Sequence, residues 1–240
     1  MLPKIQQPIF SLFLPLSKKT IKYRPMVVRE EKMLLLAKES KEYEDIINNV
    51  AAVVNNCLVD TDINIWSIPL VEFEYIFINI RARSIGSTIN LKYYDTYDRK
   101  ITHDVEIDVS KIKIEIPESF NPKVMLSDNL GITFKMPTLS MTKDLPSTAQ
   151  ENINVVDVSF DVIRSSIDYI FDSEEIYNVS DYSENELSDF MESLSVESFA
   201  KVETFFKNMP TLKHKVSFKN SKGEDVNIEL TRLEDFFWYC

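Results

Sequence analysis

The stretch Leu70-Val71-Glu72-Phe73-Glu74-Tyr75-Ile76-Phe77-Ile78-Asn79-Ile80-Arg81-Ala82-Arg83-Ser84, followed by Thr88-Ile89-Asn90-Leu91-Lys92-Tyr93, decides the fold class. The first part puts Leu70, Phe73, Ile76, Phe77 and Ile80 on one face at helical spacing. Pro69 precedes it, where a proline suits the start of a helix. Arg81 and Arg83 fall near the negative C-terminal pole, where helix-end stabilisation is their simplest role. The second part alternates apolar and polar residues, the period of a half-buried strand. Helix and strand periods in adjoining segments predict an α+β chain.

Upstream, Ile9–Leu14 and Thr20–Arg24 predict a β-hairpin, closed by Pro25, which has no amide hydrogen for a ladder. Helices are expected over Val28–Ser40 and Glu42–Leu58, the second with Ile46, Ile47, Val50, Ala51, Val53, Val54 and Cys57 in one stripe. Downstream, Val105–Val109, Lys111–Ile116 and Gly131–Met136 complete a central antiparallel β segment. Beyond Pro137–Asn154 the chain reads as helical. Val156, Phe160, Ile163, Ile167, Ile170 and Phe171 share one face, and a Ser183-to-Glu186 capping box opens a helix through Met191. Val196–Asn208 is a further helix. His214–Lys219 and Asp225–Leu230 form a last hairpin turning at Ser221-Lys222-Gly223, and Leu233–Trp238 is a terminal turn. The expected organisation is 1–136 (hairpin, helices, central β region), 137–154 (linker or crossing segment) and 155–240 (acidic helical lobe with terminal hairpin).

Composition narrows the chemistry. Three glycines in 240 residues, against the roughly seventeen of average usage, cannot write a phosphate-cradling loop or a dinucleotide fingerprint. Cys57 and Cys240 are too few for a four-cysteine zinc site or a disulfide framework, and Cys57 reads as a small core residue. The 27 basic and 38 acidic residues give a formal charge of −11, a poor match to phosphate-rich partners. Fifteen acids and two bases lie between Asp144 and Phe206, which suits either a wet helical face or a surface that steers a basic partner. No run reaches the ~18 apolar residues of a membrane span, and Ile9–Leu16 lacks a signal-peptide cleavage site. These features place the chain in a reducing cytoplasm or a particle assembled there.

The candidate reaction centres are weak. His103 and His214 each lack a local partner for general-base work. Asp60, Asp62 and Asn64 imitate the start of a calcium loop, but Ile65 and Val71 stand where Gly and Glu are required, so turn chemistry explains them. Asp157, Asp161, Asp168 and Asp172, read on one helix, form a solvated acidic row rather than a carboxylate pair. Phe199, Phe205, Phe206 and Phe236-Phe237-Trp238-Tyr239 are core, or else an aromatic anchor for a partner.

Two blocks carry a resemblance. Ile21-Lys22-Tyr23-Arg24-Pro25-Met26-Val27-Val28-Arg29-Glu30-Glu31-Lys32, running on through Leu34–Ser40, and Phe73–Gly86 with its Arg81-Ala82-Arg83-Ser84 core, together resemble the baseplate-hub protein family of T-even-type tailed phages. Leu194–Phe199, Phe205–Pro210 and Leu233–Phe237 are similar to that family's C-terminal signature, and Lys113–Asp181 is the least similar region. The resemblance implies a non-enzymatic protein without cofactor or metal. It would assemble the baseplate's central hub by binding hub or tape-measure proteins, as an assembly chaperone or minor hub subunit. The alternative is a permanent virion component, and more distantly a carboxylate-dependent hydrolase. The implied location is the host cytoplasm during infection and the virion baseplate, with no nucleic-acid, membrane or small-molecule partner. Tyr23, Arg24, Pro25, Glu31, Lys32, Arg81, Arg83, Ser84, Phe205, Phe206, Phe236 and Phe237 are the motif or partner-binding candidates. The resemblance also implies that two hairpin turns can carry paired cysteines. Tyr93–Arg99 and Lys219–Glu224 carry none, so packing is expected to hold these hairpins.

Overall fold

A computed structural model describes residues 3, 5–40, 43–59, 62–142 and 155–230. The first part of the chain runs through β1 (Phe10–Leu14), β2 (Lys19–Tyr23), α1 (Val28–Glu39), α2 (Tyr43–Cys57), β3 (Leu58–Val59) and α3 (Leu70–Ser84). Then come β4 (Thr88–Tyr94), β5 (Thr102–Asp108), β6 (Lys113–Glu115), β7 (Lys123–Met125) and β8 (Gly131–Phe134). The remainder is α4 (Val155–Ser165), β9 (Ile167–Phe171), β10 (Ile176–Asn178), α5 (Glu184–Glu192), α6 (Val196–Lys207), β11 (Thr211–Lys219) and β12 (Asp225–Leu230). All pairings are antiparallel among the described residues, and the chain is α+β, as its two periods require.

The chain divides into two compact units, Met1–Glu115 with Thr211–Cys240, and Ile116–Pro210. The terminal hairpin, expected in the acidic lobe, lies in the first unit because β11 pairs with β6, Thr211 opposite Glu115. Residues 137–142 lie in the second unit, while 143–154 and the turn 233–238 lie outside the described residues.

In the first unit β1 and β2 form the expected hairpin, Phe10 opposite Tyr23 and Leu14 opposite Lys19. Lys18 completes its turn at φ 52°, and β3 adds a third strand through Tyr23 opposite Leu58. The α3 helix is the centre of the core. Phe73, Ile76, Phe77, Ile78 and Ile80 are all buried, and such burial is worth about 1.5–3 kcal/mol per large side chain. With more than one face of α3 covered, even Glu72 is fully buried. Its carboxylate accepts bonds from the Leu16 amide (2.7 Å), the Ser17 amide (3.0 Å) and the Ser17 hydroxyl, tying the first hairpin's turn to the core helix.

The second unit is a sheet ordered β10-β9-β8-β7 with α4, α5 and α6 supplying the rest of its core. One sequence expectation is corrected here: the helix beginning near Val155 ends at Ser165, and Ile167–Phe171 is a strand. Ile163, Ile167 and Ile170 fit a helical face, but Ile167-Asp168-Tyr169-Ile170-Phe171 is also rich in strand formers. Pairing on both sides, with β8 and β10, decides between the two. Asp168 and Asp172 therefore do not share a helix with Asp161. Asp161 pairs with Arg164 at 3.1 Å, while Asp172 shapes a turn by accepting the Glu174 and Glu175 amides and the Tyr177 hydroxyl. The Ser183–Glu186 capping box opens α5 as expected, and β7, β10 and the two-residue β3 are strands the sequence pattern did not show.

Candidate functional site

The residues leading out of β2 and those closing α3 meet. Met26 donates its amide to the Ser84 hydroxyl at 2.8 Å, and that hydroxyl donates to the Ile80 carbonyl at 2.5 Å. Arg83 lies over the Phe10 ring, 4.7 Å from its centroid, and its charge acts on the Tyr23 hydroxyl to lower its pKa. Burial outweighs that effect, so the Tyr23 pKa is raised. Pro25 is buried in the same turn, and Arg81 is buried on α3.

Arg24 ties three elements together. Its guanidinium donates to both oxygens of Glu30 at 3.0 and 3.3 Å, to the Pro25 carbonyl at 2.9 Å and to the Asn56 carbonyl at 2.9 Å. Its backbone amide donates to the Cys57 carbonyl at 2.8 Å. Glu30 also accepts the Val27 amide at 2.9 Å and is 0% exposed. Burial pushes its carboxyl upward, but bonds from Arg24, Val27 and Arg29 outweigh that and hold it at about 2. Burial raises the neighbouring Cys57 thiol to about 11, against the lowering effect of Arg24, so it is an inert core thiol. The sequence offered Glu31 among the residues that either join the hairpin to the helices or face a partner. The acid that joins Arg24 to α1 is Glu30, whose position in the first turn lets its side chain reach back to Val27, while Glu31 and Lys32 are exposed. No Ser or Thr precedes the helix to announce a cap, so the pattern lacked its usual signal.

Beside this joint lies a groove of about 780 Å³. Arg24, Met26, Val27, Val28, Glu31 and Leu34 line it from the first block, and Ser84 and Ile85 from the second. Ile5, Gln7, Ile9 and Val59 complete it. Several of its apolar walls face solvent: Ile5 is 85% exposed, Val28 77% and Ile85 62%.

A second polar cluster joins the turn between β4 and β5 to the turn between β11 and β12. Asp95, 2% exposed, accepts the amides of Tyr97 (2.8 Å), Asp98 (3.2 Å) and Ser221 (2.6 Å) and the Ser221 hydroxyl (2.9 Å). His103 Nε2 lies 2.8 Å from Asp95 Oδ2, and its ring packs 4.8 Å from that of Phe218. The bond from His103 is the largest of several effects holding the Asp95 carboxyl well below the usual range. Tyr97 donates to Glu224 at 2.8 Å, and Asn220 bonds both Glu224 and Thr96 at 3.1 Å. This corrects two expectations. His103 does have a partner, eight residues away across a turn, and the hairpin ends are held by hydrogen bonds as well as packing. The cluster is not laid out as a nucleophile and its base, since Ser221 bonds the carboxylate and not the imidazole. Asp95-Thr96-Tyr97-Asp98 marks its own turn in the sequence, but not the link to Ser221.

Phe205 and Phe206 are core residues of the second unit. Phe205 stacks on Phe134 with centroids 4.9 Å apart, and Phe206 meets Phe134 edge-on at 5.3 Å. Phe236 and Phe237 lie outside the described residues. No group of three or more His, Cys, Asp or Glu among the described residues is arranged to hold a metal ion.

Residues 7–238 match the family model described as T4 bacteriophage base plate protein, and the chain belongs to that family. It is a bacteriophage baseplate protein, which implies interaction with other tail proteins and suggests a structural, virion role. No curated protein and no solved structure matches it. No helix among the described residues is long and apolar enough to cross a membrane.

Proposed function

We propose that this baseplate protein acts in building the central hub, binding hub or tape-measure proteins as an assembly factor or minor hub subunit, without catalysis. One observation carries the reading: the two sequence blocks that resemble the hub family converge on the wall of one solvent-open apolar groove. Within that wall Arg24 and Ser84 are spent on internal bonds, so they set its shape. Val28, Ile85 and Ile9 present the surface a partner would cover.

The test has two arms. Virions and infected-cell lysate are compared by mass spectrometry for this chain. A few copies per particle indicate a hub subunit, and presence only in lysate, co-purifying with a hub or tape-measure protein, indicates an assembly factor. In the second arm, phage carrying Val28→Asp or Ile85→Asp should accumulate incomplete baseplates while the variant protein stays folded. Normal baseplate yield from both variants, or absence of the chain from every tail complex, would sink the reading.

A further inference from the structure

We infer that α1 is a self-association surface on which a second copy of this chain docks its own α1, antiparallel, about a two-fold axis between Leu35 and Leu36. The helix turns Glu30 (0% exposed) and Ala37 (3%) inward, with Met33 and Leu34 half-buried beside them. At 100° per residue the opposite face is centred on Val28, Lys32, Leu35 and Glu39, with Leu36 on its flank. All five are exposed, Val28 at 77%, Leu35 at 59% and Leu36 at 55%. Single exposed aliphatics need no explanation, but Leu35 and Leu36 side by side with Lys32 and Glu39 on the solvent stripe of α1 make a seam, and Val28 lies a turn beyond it. Lys32 and Glu39 stand seven residues apart, the repeat that keeps both facing a partner helix.

The order of charge selects the occupant. Lys32 and Glu39 lie symmetrically about the point between Leu35 and Leu36. An antiparallel copy thus sets Lys32 against the other copy's Glu39 twice, with Leu35 beside the other copy's Leu35 on one flank and Leu36 beside its Leu36 on the other. A parallel copy in register would set like charges against each other. A strongly basic or acidic partner would gain at one of these two positions and lose at the other. The stripe is complementary to its own reversal, which is the requirement of an isologous contact. This contact does not depend on the hub reading and belongs to the purified chain alone.

Analytical ultracentrifugation of the purified full chain tests it, with circular dichroism confirming that each variant is folded. The wild type should show a concentration-dependent monomer–dimer equilibrium, and Leu35→Asp should abolish it. Lys32→Glu and Glu39→Lys should each weaken self-association by about tenfold or more, because each places two like-charge pairs in the seam. Mixing those two variants in equal amounts should restore dimers, since every reversed side chain then meets an opposite charge. A wild type that stays monomeric up to about 0.1 mM overturns the proposal. So does a mixture that associates no better than either variant alone. If another tail protein binds this face while the chain remains monomeric, that protein is the occupant and the second copy is excluded.

Discussion

Glu30 concentrates the chemistry of the joint. A carboxylate that is fully buried and multiply bonded is strongly destabilising to neutralise, because Arg24 is left without its counter-charge. Glu30→Gln should lower unfolding free energy by about 3 kcal/mol in urea titrations. The pH dependence follows from the carboxyl held at about 2 in the folded chain against an ordinary 4.5. A pKa lowered by folding means the unfolded chain takes up the proton first. The stabilisation is therefore complete above pH 4.5 and disappears as pH falls from 4.5 through about 2. Asp95, Asp108 and Asp172 are also lowered by their hydrogen bonds, so the wild-type curve will carry their contributions too. The signature of Glu30 is the difference: urea midpoints of the Glu30→Gln variant should fall less steeply over that window. Equal slopes would remove Glu30 from this role. The sequence showed that Tyr23-Arg24-Pro25 and the acids after it belong together, but not which acid faces inward. That choice depends on the direction in which α1 leaves the Pro25 turn, which is set by Ser84 holding the Met26 amide from a distant helix.

At the scale of elements, sequence periodicity identified those stretches whose pattern fits only one structure. α2, α3 and the paired β4 and β5 follow their residues directly. The boundary between α4 and β9 did not, because isoleucines at 163, 167 and 170 fit a helix and a strand alike, and long-range pairing made the decision. Gly131 shows how tightly that pairing packs. A Cβ placed there would come within 2.3 Å of the Phe171 ring on the opposing strand. Gly131→Ala should therefore cost about 1–3 kcal/mol, since the ring must leave its position and its contact with Lys123. Adding Phe171→Leu should recover part of the loss in a double-mutant cycle, and strict additivity of the two changes would contradict the clash. The hairpin ends offer a different element-level test. Asp95→Ala removes the acceptor for the amides of Tyr97, Asp98 and Ser221. Hydrogen exchange at those three amides should accelerate while Leu16 and Ser17, held by Glu72, keep their protection. Unchanged exchange at Ser221 would mean the two turns are held without the carboxylate. No sequence pattern announced this link, because the contact lies between turns more than a hundred residues apart and neither turn is unusual by itself.

At the scale of the whole molecule, the charge asymmetry visible in the sequence coincides with the division into units. Ile116–Pro210 holds 17 acids and six bases, so it carries the chain's entire formal charge of −11. The remaining residues balance at 21 of each. What the sequence could not show is that the acidic unit is an insertion. It leaves the first unit at Glu115 and returns at Thr211, and these two residues face each other as partners in β6 and β11. Local patterns describe β6 and β11 as strands, but their pairing is a long-range event that no window of sequence contains. The insertion has a direct consequence. Two antiparallel partners can be closed by a two-residue turn such as Asn-Gly without disturbing their register. A chain in which that turn replaces residues 116–210 should therefore keep every sheet of the first unit, the Arg24–Glu30 joint and the groove. It should unfold in one cooperative transition, and Glu30→Gln should flatten its acid dependence as in the full chain. It should also pass through an anion exchanger that retains the isolated 116–210 piece, because the charge goes with the insertion. A shortened chain without cooperative unfolding would mean that the first unit depends on the inserted one, despite a pairing that makes the insertion removable in principle.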